Sequence, residues 1–183
     1  MITVLYEDQC AQPRNFGLHN LVLASLAPDQ PTVPLHNLRH QVVGIPKKGD
    51  NKLKRDLEQD LARLCNRGPV VAVFDNDKIR RLLNLDKQAC KRDVLNALER
   101  CFEAGGNAAI VLLEQNAEDL LRASCQVLNR EYPGKKPTPP ERDRILNQAA
   151  GGSSGDLDRI RQAMPSFDRL IRKIGDLLHN PRG

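Results

Sequence analysis

The sequence predicts an α/β fold: a mostly parallel four-stranded sheet with helices on both faces and a C-terminal helical extension. Three observations lead there. Val70–Phe74 and Ala108–Leu113 are short apolar runs without alternation, the pattern of strands covered on both faces. Four strand-like runs alternate with stretches of helical periodicity, and that order builds parallel sheets through helical crossovers. Beyond the proline-rich turn Lys135–Pro140 the strand signals stop and only helix-length segments follow. The expected organisation is an α/β core over residues 1–132 and a helical extension over 133–183, packed on that core.

Each element has its own signal. Ile2–Tyr6 reads as a first strand that ends at Glu7-Asp8, and the polar stretch Gln9–Asn15 reads as a loop. Apolar residues at 18, 21, 22, 23 and 26 form a helix stripe that stops before Pro28. Three prolines between Pro28 and Leu38 indicate a long connection, with a short second strand at 41–44. Leu53, Leu57, Leu61 and Leu64 mark one face of a helix over 51–66, closed by Arg67-Gly68-Pro69. After the Val70 strand the spacing predicts a short helix over 78–83 and a longer one over 87–104, with Val94, Leu98 and Cys101 inward. Asn116-Ala117-Glu118-Asp119 reads as an N-cap with acids in the first turn of a helix to Leu128. The extension divides into helices at 140–150, 156–164 and 166–178, separated by Gly151–Gly155 and by Pro165.

Composition narrows the function classes. With 40% hydrophobic and 28% charged residues, the 183-residue chain is expected to fold around a real core. Its net charge of +5 permits polyanion binding, and the excess sits late: residues 130–183 hold eleven basic and seven acidic side chains. Six aromatics and no Trp argue against a base-stacking platform. Five cysteines without a CxxC pair fit neither a zinc knuckle nor a disulfide framework, and point to a reducing cytoplasm. His36 and His40 stand four residues apart, but His19 and His179 lie on other predicted elements, so a zinc site is not expected. Met1–Val4 lacks a basic leader, and no apolar run is long enough to span a membrane, so a cytoplasmic location without membrane contact is expected.

The chemistry-bearing residues collect where strands end. Glu7, Asp75, Asp77 and Glu114 each follow a strand-like run, and ligands of open α/β sheets gather outside the carboxyl ends of strands. Clustered carboxylates repel unless a cation neutralises them. Mg²⁺ suits such a set, with Mn²⁺ as a substitute, because it takes oxygen ligands and is completed by water or substrate phosphate. Asp-Asn-Asp is equally ordinary turn and cap chemistry. The loop Gly44–Asp50 carries Lys47 and Lys48, with Lys52 just beyond. It lacks the Walker spacing, so these lysines are either phosphate contacts or a solvated loop.

Glu7 after the first strand and Asp75-Asn76-Asp77 after a later one resemble the Toprim pattern of primases, topoisomerases and overcoming-lysogenisation-defect nucleases. More closely, the chain is similar to a Toprim-like bacterial family of unknown function often found next to AAA ATPases. The matching pieces are Pro46-Lys47-Lys48-Gly49, the strand VVAVFDND, Ile110–Glu114 with Ala117–Leu121, and Met164-Pro165-Ser166-Phe167. The resemblance implies Mg²⁺-dependent phosphodiester chemistry, with Glu7 as general acid/base or metal ligand and Asp75 and Asp77 as metal ligands. Toprim sequences usually place Gly directly after the glutamate, where this chain has Asp8.

The expected function is a nuclease acting on nucleic acid, as the effector of a bacterial antiviral defence system with a separate ATPase subunit, since the chain has no Walker loop of its own. A catalytically silent adaptor of the same fold and a small-molecule phosphohydrolase are the alternatives.

Overall fold

The structure is a computed structural model that describes residues 1–7, 16–47, 49–75, 79–80, 83–86, 88–101, 108–113, 117–133 and 137–179. Within these residues four strands form one sheet: β1 (Ile2–Glu7), β2 (Val42–Lys47), β3 (Val70–Asp75) and β4 (Ala108–Leu113). The pairings are parallel and the order is β2-β1-β3-β4. The fold is therefore α/β with a four-stranded parallel sheet, as the sequence predicts. From β1 the chain crosses to one side to form β2, then back across β1 to form β3. The order reverses between β1 and β3, and such a switch point opens a crevice at the carboxyl ends of the two strands.

Right-handed crossovers running in opposite directions place their helices on opposite faces, and the side chains follow. Val4 and Tyr6 of β1, Val71 and Val73 of β3, and Val111 and Leu113 of β4 enter one core. Leu5, Val70, Ala72, Phe74 and Leu112 enter the other. The helix α1 (Gly17–Leu26) covers the first face. The second is covered by α3 (Asp50–Cys65), which buries Leu53, Leu57 and Leu61, and by α4 (Lys91–Cys101), which buries Val94 and Leu98. Each fully buried leucine contributes roughly 1.5–3 kcal/mol. Both central strands are thus sandwiched, which is why their sequences do not alternate.

The helices α5 (Ala117–Val127), α6 (Pro139–Ala150), α7 (Ser154–Ala163) and α8 (Pro165–His179) all join the first core. At the start of α1 the local sequence supplies no side-chain cap. Instead Asp143 of α6, itself buried, accepts a 3.2 Å hydrogen bond from the Gly17 N–H. A carboxylate there also favours the positive end of the helix dipole. A Cβ on residue 17 would lie 2.7 Å from the Asp143 carbonyl oxygen, so glycine is what lets α1 and α6 touch through their backbones. Ser153 and Asp156 form a reciprocal capping box that starts α7 two residues earlier than its apolar stripe suggests.

Three expectations need correction. The connection after Pro28 is not continuous loop: a 3₁₀ turn (Ala27–Asp29) and a short helix, α2 (Leu35–Gln41), occupy part of it. Pro34 sits at the N-cap and, of the helix's two leucines, Leu38 alone is buried while Leu35 is exposed, so the segment left no clear periodic signal. The second strand then starts at Val42 and runs to Lys47, longer than the sequence suggests. The helix expected over 87–104 begins at Lys91, because the Asp93 carboxylate turns back to accept from the Cys90 N–H at 3.0 Å. Of the short helix expected over 78–83, the described residues Ile79 and Arg80 are helical.

Candidate functional site at the carboxyl ends of the central strands

Glu7 is the last residue of β1 and Asp75 the last of β3. The two strands are hydrogen-bonded neighbours with Tyr6 opposite Val73. Continued by one step, that register sets Glu7 opposite Phe74, with Asp75 one residue further. With strands about 4.8 Å apart and a rise of about 3.3 Å, the two Cα atoms are about 6 Å apart. Alternation sends Glu7 toward the face of Leu5 and Asp75 toward that of Val71 and Val73. The two residues are thus backbone neighbours at the strand ends, with side chains that start toward opposite faces of the sheet. Both residues are half-buried and both engage other groups of the protein.

Two hard carboxylate donors on one rim suit Mg²⁺, which is commonly held by one or two carboxylates and completed by water and phosphate. Among the described residues no group of three His, Cys, Asp or Glu side chains lies close enough to share a metal ion. Asp77, Glu114 and Lys48, the other expected contributors, lie outside the described residues.

The basic side of the rim is different from the sequence expectation. Lys47 ends β2 directly opposite Glu7, but its ammonium is 2.9 Å from the Asp56 carboxylate of α3, with both side chains 19% exposed. Its charge is compensated inside the fold, and it ties the edge strand to α3. Lys52, in the first turn of α3, is exposed and has no ion pair among the described residues.

Behind Glu7 stands a polar network that the sequence reading passed over. Tyr6 is fully buried, and its hydroxyl donates to His19 Nδ1 at 3.0 Å. The other ring nitrogen, Nε2, donates to the Val42 carbonyl at 3.2 Å. The imidazole is thereby neutral with its proton on Nε2. Burial is the main force that pushes the His19 pKa down to about 4; the bond to Val42 opposes this and repulsion from Arg39 adds to it. Burial likewise raises the Tyr6 phenol above its ordinary range. Phe16 meets the Tyr6 ring edge-on at 5.0 Å and stacks beside His19. Gly44 of β2 makes room for the imidazole: a Cβ there would lie 2.4 Å from His19 Cγ. The trio ties β1, α1 and β2 together one residue short of Glu7. A hydroxyl in an otherwise apolar buried strand needs a partner, and that need was the available signal.

Arg80 is the second residue the sequence reading missed. It follows Ile79, whose side chain is buried with Leu5 and Phe74 in the second core, five positions beyond the end of β3. Its Nε is shielded from solvent and has no hydrogen-bond partner.

A groove of about 370 Å³ elsewhere is lined by Asp29, Asp158, Arg161, Gln162, Asp168 and Arg172. It adjoins the turn after α1, which runs back from the carboxyl ends of the strands, so it lies toward the opposite end of the sheet. Most of its charges are paired: Arg161 with Asp29 and Asp168, and Asp168 with Arg172.

Comparison with known proteins finds no match to a family model, a curated protein or a solved structure. The Toprim resemblance rests on the residues quoted for it. No helix among the described residues is long and apolar enough to cross a membrane.

Proposed function

We propose that this protein is a Mg²⁺-dependent phosphodiesterase of nucleic acid, working at the rim where Glu7 and Asp75 meet. The observation that supports it is the placement of two carboxylates at the ends of adjacent central strands, on either side of the order reversal. Asp75, with Asp77 beside it in sequence, would hold the metal; Mn²⁺ is the natural substitute. Glu7 would act as a ligand or as the group that takes and returns a proton. A metal bound there supplies charge neutralisation at a scissile phosphate and lowers the pKa of a bound water. The chain's own contribution is position: two rigid, sandwiched strands fix the acids, and the Tyr6–His19–Val42 network braces the strand that carries Glu7. The free thiols of Cys65, Cys90 and Cys125 suit a reducing cytoplasm. Without a Walker loop, any nucleotide-driven control belongs to a separate ATPase subunit.

The second reading is a catalytically silent binding module of the same fold. It is favoured by one observation: Glu7 and Asp75 already engage protein groups, as structural acids do.

Metal-dependent melting separates the two. A ligand that binds only the folded state stabilises it by about 2.7 kcal/mol at a hundredfold excess over Kd. The melting temperature should rise with Mg²⁺ or Mn²⁺, alone or with a short DNA duplex or RNA present. The rise, and any nicking of plasmid DNA or cleavage of RNA, should be lost in Glu7→Gln and Asp75→Asn. Superimposable melting curves under all these conditions, with no cleavage, would establish the binding module instead.

A further inference from the structure

We propose that Arg80 is an anion contact of the strand-end rim that receives a phosphate of the substrate backbone. The inference rests on reading this rim as a phosphodiester site and adds to it the group that holds the substrate. Guanidinium groups removed from water are normally paired, because a shielded donor without an acceptor is costly. In this protein the half-buried arginine Arg161 follows that rule, with Asp29, Asp168 and the Ser25 carbonyl around it. Arg80 does not. Its Nε is shielded and without a hydrogen-bond partner, and no carboxylate among the described residues pairs with its guanidinium.

The position of Arg80 gives the shielded donor a meaning. Ile79 anchors the segment into the second core beside Leu5 and Phe74, the face toward which Glu7 and Lys47 also project. Ile79 is four positions beyond Asp75, so its Cα lies no more than about 14 Å from that of the acid. Lys47, which ends the neighbouring edge strand, is already matched by Asp56. A shielded guanidinium donor without a protein partner, five positions past a strand-end acid, fits a ligand that brings its own negative charge. Guanidinium donates through Nε and a terminal nitrogen to two oxygens at once, a geometry matched by phosphate. A phosphodiester oxygen would satisfy the orphaned Nε and balance the charge. Lys52, exposed on α3, offers a second, weaker contact along the same strand of nucleic acid.

The test measures binding rather than turnover, in the presence of EDTA, so that a failure of the metal chemistry does not affect it. Fluorescence anisotropy of a labelled short DNA duplex and a labelled short RNA is followed over a salt series. Wild type should bind at least one probe. Arg80→Gln should bind it about tenfold more weakly, with the slope of log K against log salt shallower by about one. Arg80→Lys keeps the charge without the fork, and should keep the slope while losing several-fold in affinity. Melting curves of both variants establish that they fold. Should Arg80→Gln not fold, Arg80→Lys decides alone, and affinity equal to wild type overturns the proposal. Unchanged affinity and slope in a folded Arg80→Gln overturn it too, as does a wild type that binds neither probe. Loss of binding in Arg80→Gln alongside a wild type that never cleaves would retain the contact and remove the enzyme.

Discussion

Acidification offers the most direct test of the network behind Glu7. His19 is held neutral because burial outweighs its hydrogen bond to Val42, so its pKa falls from an ordinary 6.5 to about 4. The native state refuses a proton that the unfolded chain accepts. Between pH 6.5 and 4 the unfolded state therefore binds more protons, and stability rises with pH across that window. The stabilisation is fully present above about pH 6.5, is lost as pH falls through the native pKa, and changes no further below it. At about 1.4 kcal/mol per tenfold in protonation equilibrium, the loss between pH 7 and pH 4.5 is about 2.5 kcal/mol. With a urea slope of about 2 kcal/mol per molar, this moves the midpoint by about 1 M. Carboxylates titrate in the same range, so the measurement is a comparison with His19→Gln. Glutamine can still accept from the Tyr6 hydroxyl and donate to the Val42 carbonyl, but it takes up no proton. Urea titrations at pH 4.5 and pH 7 should show a midpoint shift smaller by about 1 M in His19→Gln than in wild type. Parallel pH profiles for the two proteins would refute the assignment of a buried neutral imidazole.

Two further predictions concern the same end of the sheet. Gly44→Ala places a methyl 2.4 Å from His19 Cγ and should cost about 1–3 kcal/mol, as overpacking does. Denaturant melts should show a smaller cost in a His19→Ala background, where the ring is gone. For the two lysines the expected readouts separate. Lys47→Ala breaks the half-buried pair with Asp56 and should cost about 1 kcal/mol with little change in the salt slope of oligonucleotide binding. Lys52→Ala, at an exposed position, should leave stability within about 0.5 kcal/mol and flatten that slope by about one.

The strands that were legible in the sequence are those whose side chains are buried on both sides. Val70–Phe74 shows no alternation because α1 and the late helices cover one face while α3 and α4 cover the other. Local chemistry was equally readable: Gly151–Gly155 and Pro165 divide the extension where the helices end. What escaped depends on partners far apart in the chain. The Tyr6–His19 bond joins a strand to a helix across 13 positions, and the Gly17–Asp143 bond spans 126, so neither follows from the periodicity of one element. The ion pair of Lys47 needed α3 to be laid against β2 before Asp56 could be seen as its partner, so a basic loop read from sequence overstated the free charge at the rim. Arg80 escaped because only the folded structure shows that its Nε is shielded from solvent and without a hydrogen-bond partner.

The strand-end acids were legible as residues, but their adjacency was not, since Glu7 and Asp75 are brought together by the strand order. That order has a cause in α1. Leu18, Leu21, Val22, Leu23, Ala24, Ser25 and Leu26 are all buried, and a helix apolar on nearly every side belongs in the middle of a structure rather than on its surface. The sheet can cover only one side of it. The remaining sides are covered by α6, α7 and α8, which share its core, and Asp143 supplies the N-terminal cap that α1 lacks. The helical extension is thus the outer layer of that face, and it holds α1 against β1. Gly44 and His19 then fix α1 to β2 as well, so the chain must return across β1 to place β3 on its free side. The packing of the extension and the closeness of the two strand ends both follow from one demand, the burial of nearly all of α1.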